Sequence, residues 1–215
     1  MKLKVCGMKY PDNMLEVAKL QPHYLGFIFW EPSSRFLKAA PTKLPDTIKK
    51  VGVFVDATLE EITTKVNQYQ LQAVQLHGKE SPAFCKNLRK IELDHPDQKL
   101  EIIKVFSIKD NFDFGQLEPY EEVADYFLFD TKGKLPGGNG YAFSWEVLRD
   151  YPSQKPYFLS GGIGLEETEK IKEFLQRPES KYCYAIDVNS RFETEPGLKE
   201  VEKIKEFKKR VMGSQ

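Results

Sequence analysis

Several signatures of chemistry are thin or missing in this chain. Cysteine is scarce, three in 215 residues, at Cys6, Cys85 and Cys183. No two of them have the spacing of a zinc-ligand pair or a redox C-x-x-C, and an odd count argues against a disulfide framework. Histidine is equally sparse, three residues at 23, 77 and 95, which gives poor support to a metal held by histidines. An excess of one charge is also missing. Lys plus Arg total 32 and Asp plus Glu total 32, so no long-range field draws the chain to nucleic acid or to an anionic membrane. An anionic small molecule would need a local site. No apolar stretch approaches the ~20 residues of a membrane span. The opening MKLKVCGMKYPD carries no apolar signal core, and a reducing, cytoplasmic setting is the expectation. Linkers rich in Pro, Gly or Ser, low-complexity tracts and a fixed repeat period are all lacking, so residues 1–215 read as a single domain.

What is present is alternation. Short runs rich in β-branched and aromatic residues recur at Leu3–Cys6, Tyr24–Phe29, Lys50–Val55, Ala73–Leu76, Ile102–Phe106, Tyr126–Phe129, Tyr157–Leu159 and Tyr184–Val188. Most lack a clean apolar-polar rhythm, as strands covered on both faces do. Helical patterns fall between them at Pro11–Leu20, Leu59–Tyr69, Ser81–Ile91, Phe143–Leu148, Glu166–Leu175 and Leu198–Val211, with weaker ones at Pro41–Ile48 and Phe114–Val123. Thr58 with Glu61 reads as a capping box, and Ser81 before Pro82 as a second helix start. Eight strand-helix units in one chain favour a single-domain (β/α)8 TIM barrel over an open sheet. The length sits below the ~250 residues usual for that architecture, so loops and helices are trimmed and the fifth helix is expected to be short or irregular.

Barrels of this kind carry their chemistry at the carboxyl ends of the strands. The residues falling there are Cys6, Arg35, His77, Asp130, the glycines 137, 138 and 140, Gly161-Gly162, and Asn189-Ser190. On the first strand Lys2, Lys4 and Cys6 share one face and Leu3 and Val5 the other. The apolar pair should meet the helices, which turns Lys4 and Cys6 inward. A lysine there needs a carboxylate, and Asp187 is the candidate. Positive charge beside Cys6 should favour its thiolate. Asp130 shares a face with Leu128, expected to be the inner one. Gly161-Gly162 and Asn189-Ser190 follow the seventh and eighth strands, where such barrels hold a phosphate. Arg35 could take a carboxylate bidentately over the barrel mouth. His77 either lines the site or is a satisfied structural histidine.

These residues together resemble the phosphoribosylanthranilate isomerase family. The resemblance is carried by Lys4-Val5-Cys6-Gly7, Gly26-Phe27-Ile28-Phe29 with Ser33-Ser34-Arg35, Lys50–Val55, Val74–Glu80, Asp130 with Gly137-Gly138-Asn139-Gly140, Leu159–Ile163 and Asp187–Glu193. The order is kept from about residue 2 to about residue 199. Asn139 and Asn189 depart from the commoner Thr and Ser, and both still donate hydrogen bonds. The resemblance implies an isomerase of tryptophan biosynthesis, acting on N-(5′-phosphoribosyl)anthranilate by an acid-base Amadori rearrangement. It implies Cys6 as general base, Asp130 as general acid, Arg35 on the anthranilate carboxylate, and Gly138, Gly140, Gly161, Gly162, Asn189 and Ser190 around the phosphate; His77, from its place at a strand end, is a further substrate-binding candidate. No metal or organic cofactor is implied, and no nucleic-acid or membrane partner. Either a monomer or a homodimer fits. The rivals are another phosphosugar barrel enzyme, such as an indole-glycerol-phosphate synthase or a pentose-phosphate epimerase, and a catalytically inactive barrel that binds a phosphometabolite as sensor or scaffold.

Overall fold

The computed structural model describes residues 1–94, 99–109, 111–131 and 144–213. Eight strands run parallel and close on themselves: β1 (Lys2–Val5), β2 (Tyr24–Ile28), β3 (Lys49–Phe54), β4 (Ala73–Leu76), β5 (Glu101–Ile108), β6 (Tyr126–Thr131), β7 (Tyr157–Leu159) and β8 (Cys183–Val188). The ring closes where β1 pairs with β8, with Leu3 opposite Ile186 and Lys4 opposite Asp187.

Alternation sorts the strand side chains into two cores. Tyr24, Val51, Ala73, Ile103, Val105, Leu128, Phe158 and Ala185 fill the barrel interior. Leu3, Val5, Leu25, Phe27, Phe127, Phe129 and Ile186 face outward, into the layer beneath the helices. Helices α1 (Pro11–Lys19), α2 (Leu59–Tyr69), α3 (Pro82–Leu88) and α4 (Thr168–Leu175) cover that layer. The expected caps are built. Thr58 Oγ1 accepts from the Glu61 N–H at 3.1 Å while Glu61 Oε2 accepts from the Thr58 N–H at 2.7 Å. Ser81 Oγ accepts from the Phe84 N–H at 3.1 Å.

Three expectations need correction. No helix forms over Pro41–Ile48, where a turn closed by the Ile48 N–H on the Pro45 carbonyl stands instead. Pro45 has no N–H to donate, and its ring would collide with the carbonyl four residues back. The helix expected from Leu198 begins only at Val201, as α5 (Val201–Met212). Ahead of it, β9 (Glu193–Glu195) and β10 (Leu198–Lys199) form a small antiparallel hairpin. The fifth helical position is short and irregular as expected, a 3₁₀ turn at Phe114–Tyr120, while the sixth, expected as a helix over Phe143–Leu148, holds only a 3₁₀ turn at Trp145–Asp150. Pro119 inside the first denies it a regular α-helical ladder. No helix among the described residues is long and apolar enough to cross a membrane.

Candidate active site

The carboxyl ends of the strands surround one cavity open to solvent. Cys6 after β1, Gln75 and His77 at the end of β4, Asp130 in β6, Ser160-Gly161-Gly162 after β7, Asp187 in β8, and Asn189-Ser190-Arg191 beyond it all line this space. Ile28, Trp30, Ser33, Val53, Val55 and Ile163 complete the wall. Residues distant in sequence thus converge because each closes a strand of one ring.

Cys6 is nearly inaccessible, at 4% exposure. Its neighbour Gly26 on β2 makes that placement possible, since a Cβ at Gly26 would lie 2.8 Å from the thiol sulphur. Lys4 is fully buried beneath it and donates to Asp187 Oδ2 at 2.9 Å. The expected ion pair across the closing seam is therefore present. Burial by itself would discharge Lys4, but Asp187 and Cys6 outweigh it and hold its pKa above the ordinary lysine value. The thiol departs from expectation. Burial pushes the Cys6 pKa up, and the opposing pull of Lys4 and Lys199 does not make up the difference. The resting group is a thiol, because a dry pocket penalises the anion more than two nearby ammonium groups reward it.

Asp130 faces the cavity from the inner side of β6, on the face it shares with Leu128. His77 Nε2 lies 3.4 Å from Asp130 Oδ2, and Gln75 Nε2 lies 3.1 Å from His77 Nδ1. The Gln75 contact at Nδ1 holds the imidazole with its Nε2 edge toward Asp130. Of the two roles left open for His77, the structure places it on the cavity wall.

Arg35 is held by this chain's own carboxylate. Its Nε donates to Glu193 Oε1 and Oε2 at 2.9 Å each, and its Nη2 to Oε2 at 2.7 Å. Arg35 is not among the described residues that line the cavity, although Trp30 and Ser33 of the same loop are. A guanidinium offers two forks. Glu193 occupies the Nε side, and the Nη1–Nη2 end remains for a ligand. Lys199, wholly buried, supports the arrangement by donating to Glu193 Oε1 at 2.5 Å and to Asn189 Oδ1 at 2.7 Å. Burial would raise the Glu193 pKa, yet Arg35 and Lys199 hold it below the usual glutamate range. Burial in turn draws Lys199 down to about 8 against the pull of Glu193. Sequence reasoning missed this hub. The Glu195-Pro196-Gly197 turn between Glu193 and Lys199 was the available signal for a hairpin.

Gly161 and Gly162 both adopt left-handed backbone, with φ of 92° and 67°, a conformation that other residues resist. They face the cavity together with Asn189 and Ser190. Gly138 and Gly140 lie outside the described residues. No cluster of three or more His, Cys, Asp or Glu among the described residues is placed to hold a metal ion.

Comparison with known proteins gives concordant results. A family model described as N-(5′-phosphoribosyl)anthranilate (PRA) isomerase matches residues 3–210. A curated relative from Parabacteroides distasonis, named N-(5′-phosphoribosyl)anthranilate isomerase, is 43% identical over 203 residues, covering 92% of this chain and 87% of the relative. The crystal structure of phosphoribosyl anthranilate isomerase from Thermus thermophilus superposes with a TM-score of 0.81 at 26% identity, over 99% of this chain and 98% of that one. A crystal structure of phosphoribosyl anthranilate isomerase in complex with reduced 1-(o-carboxyphenylamino)-1-deoxyribulose 5-phosphate superposes with a TM-score of 0.77 at 26% identity, over 100% of both chains.

Proposed function

The chain belongs to the N-(5′-phosphoribosyl)anthranilate isomerase family of tryptophan biosynthesis, and from that premise we propose how its residues divide the work. The reaction converts N-(5′-phosphoribosyl)anthranilate to 1-(2-carboxyphenylamino)-1-deoxyribulose 5-phosphate. Asp130 is the general acid. Its carboxyl proton passes to the ribose ring oxygen, the ring C–O bond breaks, and an imine forms at C1′. Cys6 is the general base. Its thiolate removes the proton from C2′, and the electrons left behind give an enolamine. The enol hydroxyl then gives its proton to the Asp130 carboxylate as C1′ takes one from the Cys6 thiol, which restores the carboxyl and the thiolate. One acid and one base suffice, so the scheme calls for no cofactor.

The observation that carries this reading is the convergence of Cys6 and Asp130 on one cavity, from strands with β7 and β8 between them. Lys4 is the buried cation that makes a thiolate attainable there, and His77 positions the Asp130 carboxyl. Gly161, Gly162, Asn189 and Ser190 receive the substrate phosphate through backbone N–H and side-chain donors, with Gly138 and Gly140 assigned to the same task. Arg35 presents its Nη1–Nη2 end to the anthranilate carboxylate. The reading extends to one domain over residues 1–215, working in the cytoplasm as a monomer or a homodimer.

A positioned acid or base contributes roughly 10²–10⁴-fold in rate. Cys6→Ala and Asp130→Asn are each expected to lower kcat by about that factor while the circular dichroism spectrum is unchanged. The assay supplies the labile substrate by generating it in place. Near-normal turnover in either folded variant overturns the assignment.

A further inference from the structure

The substrate proposed above is anionic at both ends, and its phosphate carries up to two charges. The cavity wall is poor in matching cations. Among the described residues that line it, Arg191 is the one lysine or arginine, against the carboxylates of Asp130 and Asp187. Arg191 follows directly on Asn189-Ser190 at the phosphate end. Its Nη2 meets Glu166 Oε1 at 2.5 Å, and Glu166 stands just beyond the Gly161-Gly162 turn. The bond therefore spans the two loops that make the cradle. Both partners are open to water, Arg191 at 39% and Glu166 at 55% exposure, and a pair so exposed holds its members loosely. Arg35, by contrast, is held on its Nε side by a buried carboxylate, and its other end is assigned to the anthranilate carboxylate, away from the phosphate.

Resting on the reading of the β7 and β8 loops as the phosphate cradle, we propose that Arg191 is a substrate-binding residue that exchanges Glu166 for the phosphate. Glycine N–H groups and the Asn189 and Ser190 side chains supply neutral donors. Arg191 supplies a formal positive charge, and its planar fork matches two phosphate oxygens. Glu166, with Glu167 Oε1 farther off at 3.9 Å, holds the guanidinium at the rim of the cradle. When phosphate arrives, a dianion with the better fork geometry displaces a solvated carboxylate.

The test is steady-state kinetics with inorganic phosphate as the competing probe, on wild type, Arg191→Ala, Arg191→Lys and Glu166→Gln. Arg191→Ala is expected to raise KM and the phosphate inhibition constant together, each about tenfold, with a smaller change in kcat. Arg191→Lys should recover part of that loss, since it keeps the charge without the fork. Glu166→Gln is the decisive variant, and it stands alone if Arg191→Ala does not fold. It removes the nearer of the two carboxylates on the arginine and leaves Glu167 Oε1 at 3.9 Å, so its phosphate inhibition constant is expected at or below the wild-type value. A rise in that constant would mean that the ion pair serves only to tie two loops together, and overturns the proposal. Equal inhibition of wild type and Arg191→Ala overturns it while leaving the cradle standing. Absence of phosphate inhibition in wild type removes the cradle and this inference together.

Discussion

Cys6 stands where opposing influences meet. Lys4 and Lys199 favour its thiolate, while burial and Asp187 oppose it, and burial prevails. A raised pKa on an acid keeps the proton on until higher pH, so little thiolate is present at neutrality. Thiolate absorbance in the ultraviolet should therefore titrate alkaline of an ordinary thiol, whose pKa is about 8.5. Burial also sends Cys85 to about 11 and Cys183 to about 12, so the difference between wild type and Cys6→Ser isolates the group. The pH profile of kcat/KM should still be climbing at pH 9. A thiolate already formed at pH 7 would refute the burial argument. Alternation along β1 was enough to foresee the Lys4–Asp187 pair, because a lysine turned into a barrel has to find a carboxylate. The direction of the Cys6 shift was not foreseeable in the same way. It depends on how dry the pocket is, and dryness comes from Gly26, Trp30 and other residues far away in the chain.

Short loops between elements set the site's precision. The β9–β10 hairpin delivers Glu193 and Lys199 to Arg35 and Asn189. Glu193→Gln should loosen the guanidinium and raise KM by roughly tenfold, about 1.4 kcal/mol, with a smaller change in kcat. Initial-rate kinetics checks this, and an unchanged KM would show that Arg35 needs no support. On the opposite side, Lys104 of β5 donates to the Leu76 and Gly78 carbonyls at 3.2 and 2.8 Å and to Glu80 Oε2 at 2.9 Å. Glu80 in turn accepts from the Gly78 and Asp56 N–H groups. This knot fastens the turn that carries His77. Lys104→Met strands a buried carboxylate and should cost about 3–5 kcal/mol in urea unfolding; a loss under 1 kcal/mol would disprove that role. Local signals predicted α2 to the residue, since its capping box is complete within four positions. They could not reveal the Lys104 knot, whose partners come from another strand and its loop.

At the scale of the molecule, closure decides everything else. The interior is packed from seven strands, with Tyr24, Tyr126, Phe158 and Tyr184 in mutual ring contact toward the end opposite the cavity. Tyr24 and Tyr184 share a hydrogen bond there at 3.2 Å, and Lys2 donates to Tyr184 at 2.6 Å. Phe158 is fully buried at the centre of this group. Phe158→Ala should cost about 3–5 kcal/mol and lower Tm in a single transition, because no strand of a ring has another place to put its inner face. Two separate transitions in calorimetry would contradict a barrel that folds as one unit.

The number and order of the barrel strands, the side of β1 that faces inward, and the places of Cys6, His77, Asp130, Gly161, Gly162, Asn189 and Ser190 at strand ends followed from sequence alone. Each depends on periodicity and local chemistry, which a linear chain displays directly. The tertiary structure alone decided that Cys6 rests as a thiol, that Arg35 is shared with Glu193, that Arg191 faces the cavity, and that residues 41–48 stay unwound in favour of a proline-bounded turn that buries Leu44 and Ile48. Those outcomes depend on desolvation and on partners brought together by ring closure, and neither is local to any stretch of the chain.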